Sequence, residues 1–152
     1  QQYEISAYAR DKQMCQHNLN YWQFGDYLAL GAGAHGKISR SDNHEIQRYW
    51  QLRAPEAYMN ASAEARTSGT QILKDEDAIF EFMLNALRLK HGFDTEIFET
   101  HTGLSKTLIS DTCQQAINKG LLIKTGNQLK PTELGYRFLN DLVNMFNKPG
   151  TD

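Results

Sequence analysis

Cysteine is scarce in this chain: Cys15 and Cys113, 98 positions apart, are the only two in 152 residues. Two isolated thiols give no disulfide framework and are read as free. Long apolar runs are absent as well, and no window approaches the roughly 20 residues of a membrane helix. Gln1–Arg10 lacks the basic start and apolar core of a signal peptide, so a cytoplasmic location is expected. There is no excess of positive charge. Lys and Arg total 16 against 18 Asp and Glu, and the two parts divided at Ile72 hold 7 basic with 7 acidic residues and 9 basic with 11 acidic. Neither part suits nonspecific nucleic-acid binding, which needs a basic surface to displace counterions from phosphates. HExxH, paired metal-site histidines, a Ser/His/Asp signature, internal repeats and low-complexity tracts are all missing. What remains is 40% hydrophobic and 11% aromatic, a composition expected of a folded, soluble protein of one ordinary domain or two small ones.

Tyr3–Ala9 alternates polar and apolar residues as a strand does, and Asp26–Leu30 reads as a short buried strand. Between them periodicity leaves His17–Phe24 either helical or irregular. Ile38–Leu52 reads as a surface strand and loop. Pro55 suits the first turn of a helix over about 55–65, and the small, polar Thr67–Thr70 reads as a boundary. Beyond it the spacing of Ile79, Phe82, Met83, Ala86 and Leu87 predicts a helix through Ala78–Leu89, capped by Asp75 and ended by Gly92. Asp94 can cap a second helix ending near Gly103. Ser105 can cap a third, with Leu104 and Ile109 placed as a hydrophobic staple. Its apolar stripe is Leu108, Ile109, Thr112, Cys113, Ala116 and Ile117, which makes buried packing the expected role of Cys113. A hairpin turning at Gly126-Asn127 and a helix starting at Thr132, with Leu134, Phe138, Leu142, Val143 and Phe146, complete the outline. The fold class expected is α+β, with a helical winged-helix-like domain over 71–152.

The chemistry-bearing residues crowd into 15–37, where His17-Asn18-x-x-Tyr21-Trp22 is followed by Gly31-Ala32-Gly33-Ala34-His35-Gly36. His17 could serve as an axial ligand of haem iron, with Tyr21 and Trp22 as flat faces for a porphyrin and Asn18 as a polar handle. A histidine beside aromatics is also commonly a hydrogen-bonded structural residue. Cys15 lies two residues before His17, a spacing that lets both face one ligand if the segment is extended. The glycine run fits the dinucleotide-binding pattern letter for letter, yet the residues after it show no helical apolar stripe. A nucleotide-binding helix is therefore excluded. The glycines still allow close backbone approach, either to a ligand or to neighbouring strands. His35 could shape a pocket or satisfy backbone groups in a turn, and His44, His91 and His101 carry no ligand-like spacing.

These two motifs together resemble the radical S-adenosylmethionine (SAM) family of oxygen-independent coproporphyrinogen III oxidases and HemW-type haem chaperones, over Tyr3 to about Phe146. The HNxxYW form with G-x-G-A-H-G resembles the HemW branch, although Ala29-Leu30 stands where the family usually has Gly-Ile. The resemblance implies that 1–70 is the end of an incomplete radical SAM barrel. It implies haem or substrate binding by His17, Asn18, Tyr21 and Trp22, with His17 on the iron, and a SAM or substrate pocket at Gly31, Ala32, Gly33, Ala34 and His35. Family members also carry a Cys-x-x-x-Cys-x-x-Cys triplet that holds a [4Fe–4S] cluster. That triplet is absent here, and the chain begins at Gln1, so a C-terminal fragment without cluster or catalytic residues, inactive alone, is expected. By the same resemblance the parent would use the cluster, SAM and haem or porphyrin. It would either deliver haem to an acceptor protein or act as an oxidase in porphyrin biosynthesis. A stand-alone interaction or DNA-binding winged-helix module is the alternative from another class. Sparse basicity, with Lys106 and Lys119 against Asp111 on the third helix, speaks against DNA.

Overall fold

The computed structural model describes residues 1–10, 13–40 and 45–147. His44, to which no role was assigned, lies outside them. Two compact units form: Gln1–Gly25 together with the chain from Asp75 onward, and Asp26–Lys74. The class is α+β.

In the first unit the expected strand Tyr3–Ala9 is instead a tight loop, closed by an isolated bridge of Gln2 with Tyr8 and by the Tyr3 N–H donating to the Ala7 carbonyl at 3.1 Å. The buried Glu4 carboxylate turns it, accepting from the Ser6 N–H and hydroxyl at 2.8 and 2.7 Å. Such local bonds compete with strand pairing. Helix α1 (Gln16–Trp22) follows. Cys15 is its N-cap residue, so Cys15 and His17, two positions apart on a helix, do not share a face.

Helix α3 (Asp75–Ala86) takes in Asp75, expected as its cap, and ends three residues before the expected Leu89. Strand β4 (Phe93–Asp94) leads into α4 (Thr95–Thr102), where the Asp94 carboxylate accepts from the Glu96 N–H at 2.8 Å and Gly103 closes the helix at φ 71°. Helix α5 (Thr107–Asn118) starts after Lys106, while the Ser105 hydroxyl accepts from the Thr107 N–H at 3.3 Å. Leu108, expected on its apolar stripe, is exposed; Ile109, Thr112, Cys113 and Ala116 are buried. Strands β5 (Leu122–Thr125) and β6 (Gln128–Pro131) make the expected hairpin, and β4 joins it in a sheet ordered β4-β6-β5. The last helix is broken at Phe138 into α6 (Glu133–Arg137) and α7 (Leu139–Asn144). The break leaves Leu134 and Phe138 exposed while Leu142, Val143 and Phe146 are buried.

Phe82 centres this core, meeting Phe24, Phe93 and Phe98 edge-to-face with centroids 6.0, 5.0 and 5.1 Å away, the geometry aromatic quadrupoles favour. A satellite cluster of Tyr3, Leu19 and Leu89 carries Met14 and Trp22 packed against it.

The second unit is an antiparallel sheet ordered β1-β2-β3, made of β1 (His35–Arg40), β2 (Glu45–Gln51) and β3 (Thr67–Ile72). Helix α2 (Pro55–Asn60) and a short 3-10 turn (Glu64–Arg66) bridge β2 to β3, replacing the single helix expected there. Thr67–Thr70 is therefore strand rather than linker. Aromatic rings explain two glycines: Gly36 faces Tyr49 and Gly69 faces Trp50 across the ladder, and a Cβ on either would run into that ring. Of the expected strand Asp26–Leu30, only Tyr27 pairs, through an isolated bridge to Lys37. Ala29 is buried, whereas Leu28 and Leu30 are 69% and 83% exposed.

Candidate functional site

Helix α1 is short, and its N-cap residue Cys15 makes no side-chain cap bond. Two turns without a cap are marginal in water, so their orientation depends on tertiary anchors. Asn18, Leu19 and Trp22 supply these on one face, as i, i+1 and i+4 spacing dictates. Leu19 is buried, and the Asn18 amide donates to the Tyr3 hydroxyl at 3.3 Å. Trp22 packs against the Tyr3, Leu19 and Leu89 cluster, and the Arg88 guanidinium lies over its ring at 4.4 Å from the centroid. The indole Nε1 is buried without a hydrogen-bond partner among the described residues.

His17 falls on another face and is exposed. Its imidazole meets the Tyr21 ring edge-on, with centroids 4.9 Å apart, one helical turn along. The two residues thus offer a coordinating nitrogen and an aromatic surface side by side, while Asn18 and Trp22 hold the helix from behind.

Arg88 is in turn paired with Glu4 at 3.4 Å. Burial pushes the Glu4 carboxyl upward, but the hydrogen bonds from Ser6 and the Arg88 charge outweigh it and hold it below its ordinary value. Glu4 therefore stays ionised in a site that is 1% exposed.

The glycine run lies in the other unit and is built differently. Gly31 and Gly33 adopt φ of 106° and 70°, left-handed backbone that residues with a Cβ adopt only under strain. Hydroxyls of the same unit fasten the loop: the Ala29 N–H donates to Tyr49 at 2.9 Å and the Gly31 N–H to Tyr58 at 3.2 Å. The Gly33 N–H donates to the Leu52 carbonyl at 2.8 Å, and Ala34 accepts from the Gln51 N–H at 2.9 Å. Ala32 and His35 are exposed, with the His35 ring tilted beside Trp50 at 6.3 Å. No helix opens at the glycines; β1 does.

Sequence reasoning missed a polar cluster beneath this loop. Lys37, alternating with Gly36 and Ile38 on β1, is 1% exposed, and its ammonium donates to Asp26 at 2.9 Å and to the Ser39 hydroxyl at 3.2 Å. Burial raises the Asp26 carboxyl, yet bonds from the Ser39 backbone and from the Lys37 and Ser39 side chains bring it below its ordinary value. A buried lysine on a half-exposed strand carries no local signal; only the fold brings Asp26 to it.

The other candidates are structural. His101 Nδ1–H donates to the Gln23 carbonyl at 2.6 Å, closing the end of α1. Burial lowers the pKa of His91 and pushes the Cys113 thiol up to about 11, so that thiol stays protonated and inert. Among the described residues no three His, Cys, Asp or Glu side chains gather to hold a metal ion, and no helix is long and apolar enough to cross a membrane.

Residues 73–138 match the model of the HemN C-terminal domain family. Over 146 residues the chain is 38% identical to the haem chaperone HemW of Haemophilus influenzae, covering 96% of this chain and 37% of that protein. It is 31% identical to the mitochondrial radical S-adenosyl methionine domain-containing protein 1 of Dictyostelium discoideum, covering 94% and 37%. It thus spans little more than a third of the length of these relatives. The solved structure of the Escherichia coli coproporphyrinogen III oxidase HemN, described as a radical SAM enzyme, superposes with a TM-score of 0.51 at 15% identity, over 82% of this chain and 29% of that one. At that identity the likeness speaks for the fold alone. Over nearly its whole length the chain resembles the HemW-type haem chaperones, with the HemN C-terminal domain match at 73–138.

Proposed function

We propose that this chain is the C-terminal part of a HemW-like radical SAM protein that binds haem and passes it to an acceptor protein. His17 would coordinate the iron, Tyr21 would lie along the tetrapyrrole, and Asn18 and Trp22 would set the helix that presents them. The observation that carries this reading is the exposed His17 imidazole, whose one described ring contact is with Tyr21. A buried histidine with both nitrogens engaged could not reach a ligand; this one can. The cluster is assigned to the part of the parent that this chain does not span, because Cys15 and Cys113 fall short of three cluster thiolates. When bound, that cluster would supply electron transfer to SAM.

The end of the barrel is assigned to 1–70, with Gly31, Ala32, Gly33, Ala34 and His35 along a SAM or substrate pocket and the cytoplasm as the location. The winged-helix-like reading of 71–152 is supported by the order α3, β4, α4, α5 and the β5–β6 hairpin. No nucleic-acid role goes with it: Lys106 is paired to Glu99 at 3.2 Å, leaving the domain's third helix little free charge for phosphates. Chaperone is preferred to oxidase because the 38% relatives bear the chaperone name, whereas the oxidase likeness rests on fold.

The test is a haem titration of the full-length protein and its His17→Ala variant by absorbance. A loss of affinity of at least about tenfold with an altered spectrum is expected, since a metal–imidazole bond and its orientation are worth more than 1.4 kcal/mol. Unchanged affinity and spectrum would refute the assignment.

A further inference from the structure

We propose that Arg88 is a positioning residue that acts through Trp22 to fix the rotation of α1 and so the direction in which His17 is presented, an inference that rests on the haem reading above. Arg88 lies 66 positions from Trp22 in sequence, just beyond the end of α3, and belongs to neither motif. Its guanidinium is held from two sides: its central carbon lies over the indole, 4.4 Å from the centroid, and Nη2 reaches the buried Glu4 carboxylate at 3.4 Å. Its backbone carbonyl accepts from the Tyr136 hydroxyl at 3.1 Å, fixing the segment that carries it. Nε is buried without a hydrogen-bond partner among the described residues, so the guanidinium is held by Trp22 and Glu4 rather than by a bond at Nε.

This matters because α1 cannot orient itself. Its N-cap residue makes no side-chain cap and its first turn holds no acidic residue, so its azimuth depends on tertiary anchors, among them Leu19, the Asn18 bond to Tyr3, the His101 bond to the Gln23 carbonyl and the Trp22 contact with Arg88. His17 and Trp22 are on one rigid helix, so a rotation that frees the indole also swings the imidazole. Planarity is the specific requirement. Lysine would retain the charge facing Glu4 but has no flat fork to lie on the ring.

The experiment uses the full-length protein labelled with 5-fluorotryptophan, with the Trp22 resonance assigned by its loss in Trp22→Leu. In Arg88→Lys the Trp22 fluorine signal should shift and broaden, and haem affinity should fall about two- to fivefold, the size of one partly exposed cation–ring contact. In the Trp22→Leu background the same substitution should leave haem affinity unchanged. Glu4→Gln, which loosens the guanidinium from the other side, should move the signal in the same direction and provides a second route should Arg88→Lys fold poorly. An unmoved Trp22 signal, an unchanged affinity, or an equal loss in both backgrounds would overturn the proposal. A normal His17→Ala effect alongside any of these results would refute this inference alone, whereas no effect of His17→Ala refutes the haem reading itself.

Discussion

The helix at Gln16–Trp22 and the loop at Gly31–Gly33 stand close in sequence, and both are rich in residues that suit ligands, yet their chemistry is used differently. On α1 the inward side chains do the structural work, and an imidazole is left facing out beside Tyr21. In the loop the backbone itself is engaged, with N–H groups donating to Tyr49, Tyr58 and Leu52 of its own unit. The contrast shows that a histidine's availability is set by its helical face, whereas the N–H groups of a glycine loop can be taken up by the protein's own hydroxyls and carbonyls. Substitutions at Asp26 and Gly36, which flank the loop and lie outside the proposed pocket, should therefore register chiefly in stability, and substitution of His17 in binding.

The largest effect on stability should come from Asp26→Ala. It removes the carboxylate that faces the buried Lys37 ammonium and leaves the Ser39 hydroxyl in place. Asp26 is itself 44% exposed, but its removal strips a partner from an ammonium that is 1% exposed, a cost of about 3 kcal/mol at the lower end for a buried charge that loses its partner, to be read as a loss in denaturant unfolding. A cost below about 1 kcal/mol would mean that water already solvates the ammonium. Gly36→Ala comes next. Its new Cβ would meet the Tyr49 ring, and overpacking of this kind costs about 1–3 kcal/mol. Haem affinity should be unaffected, and a parallel loss of binding would break the contrast between loop and helix.

The smallest effect is in acid. The Glu4 carboxyl is held below its ordinary 4.5 in the folded chain. Its ionised form therefore contributes stability that is fully present above about pH 4.5 and lost as pH falls through the folded value. Glu4→Gln should flatten this acid limb of the stability curve, measured by unfolding across pH 3–6. An unchanged limb would show that the Arg88 and Ser6 contacts do not favour the charged form.

Legibility in the sequence changed at Asp75. From Asp75 onward, caps and punctuation were local: Asp94 caps α4, Gly103 ends it, and Gly126-Asn127 turns the hairpin. The exceptions were the cap expected at Ser105, where Lys106 is the N-cap residue and makes no side-chain cap bond, and Leu108, Leu134 and Phe138, where periodicity ran on past the surfaces available to cover it. Before Asp75 the decisive contacts were distant. Tyr3–Ala9 alternates like a strand, but Glu4 captures Ser6 and turns it. Thr67–Thr70 looks like a linker and is a strand because β2 offers it a ladder. At the candidate site His17 and Tyr21 could be picked out by motif, whereas Arg88 and Lys37 could not, since each takes its role from a partner on another element.

The most direct test of the account is rescue of His17. Haem absorbance of the full-length His17→Gly variant should lack the wild-type axial-imidazole signature and regain it on addition of free imidazole, as expected where a ligating ring has been removed from an exposed position. If His17→Gly retains the wild-type spectrum before imidazole is added, His17 is not the ligand.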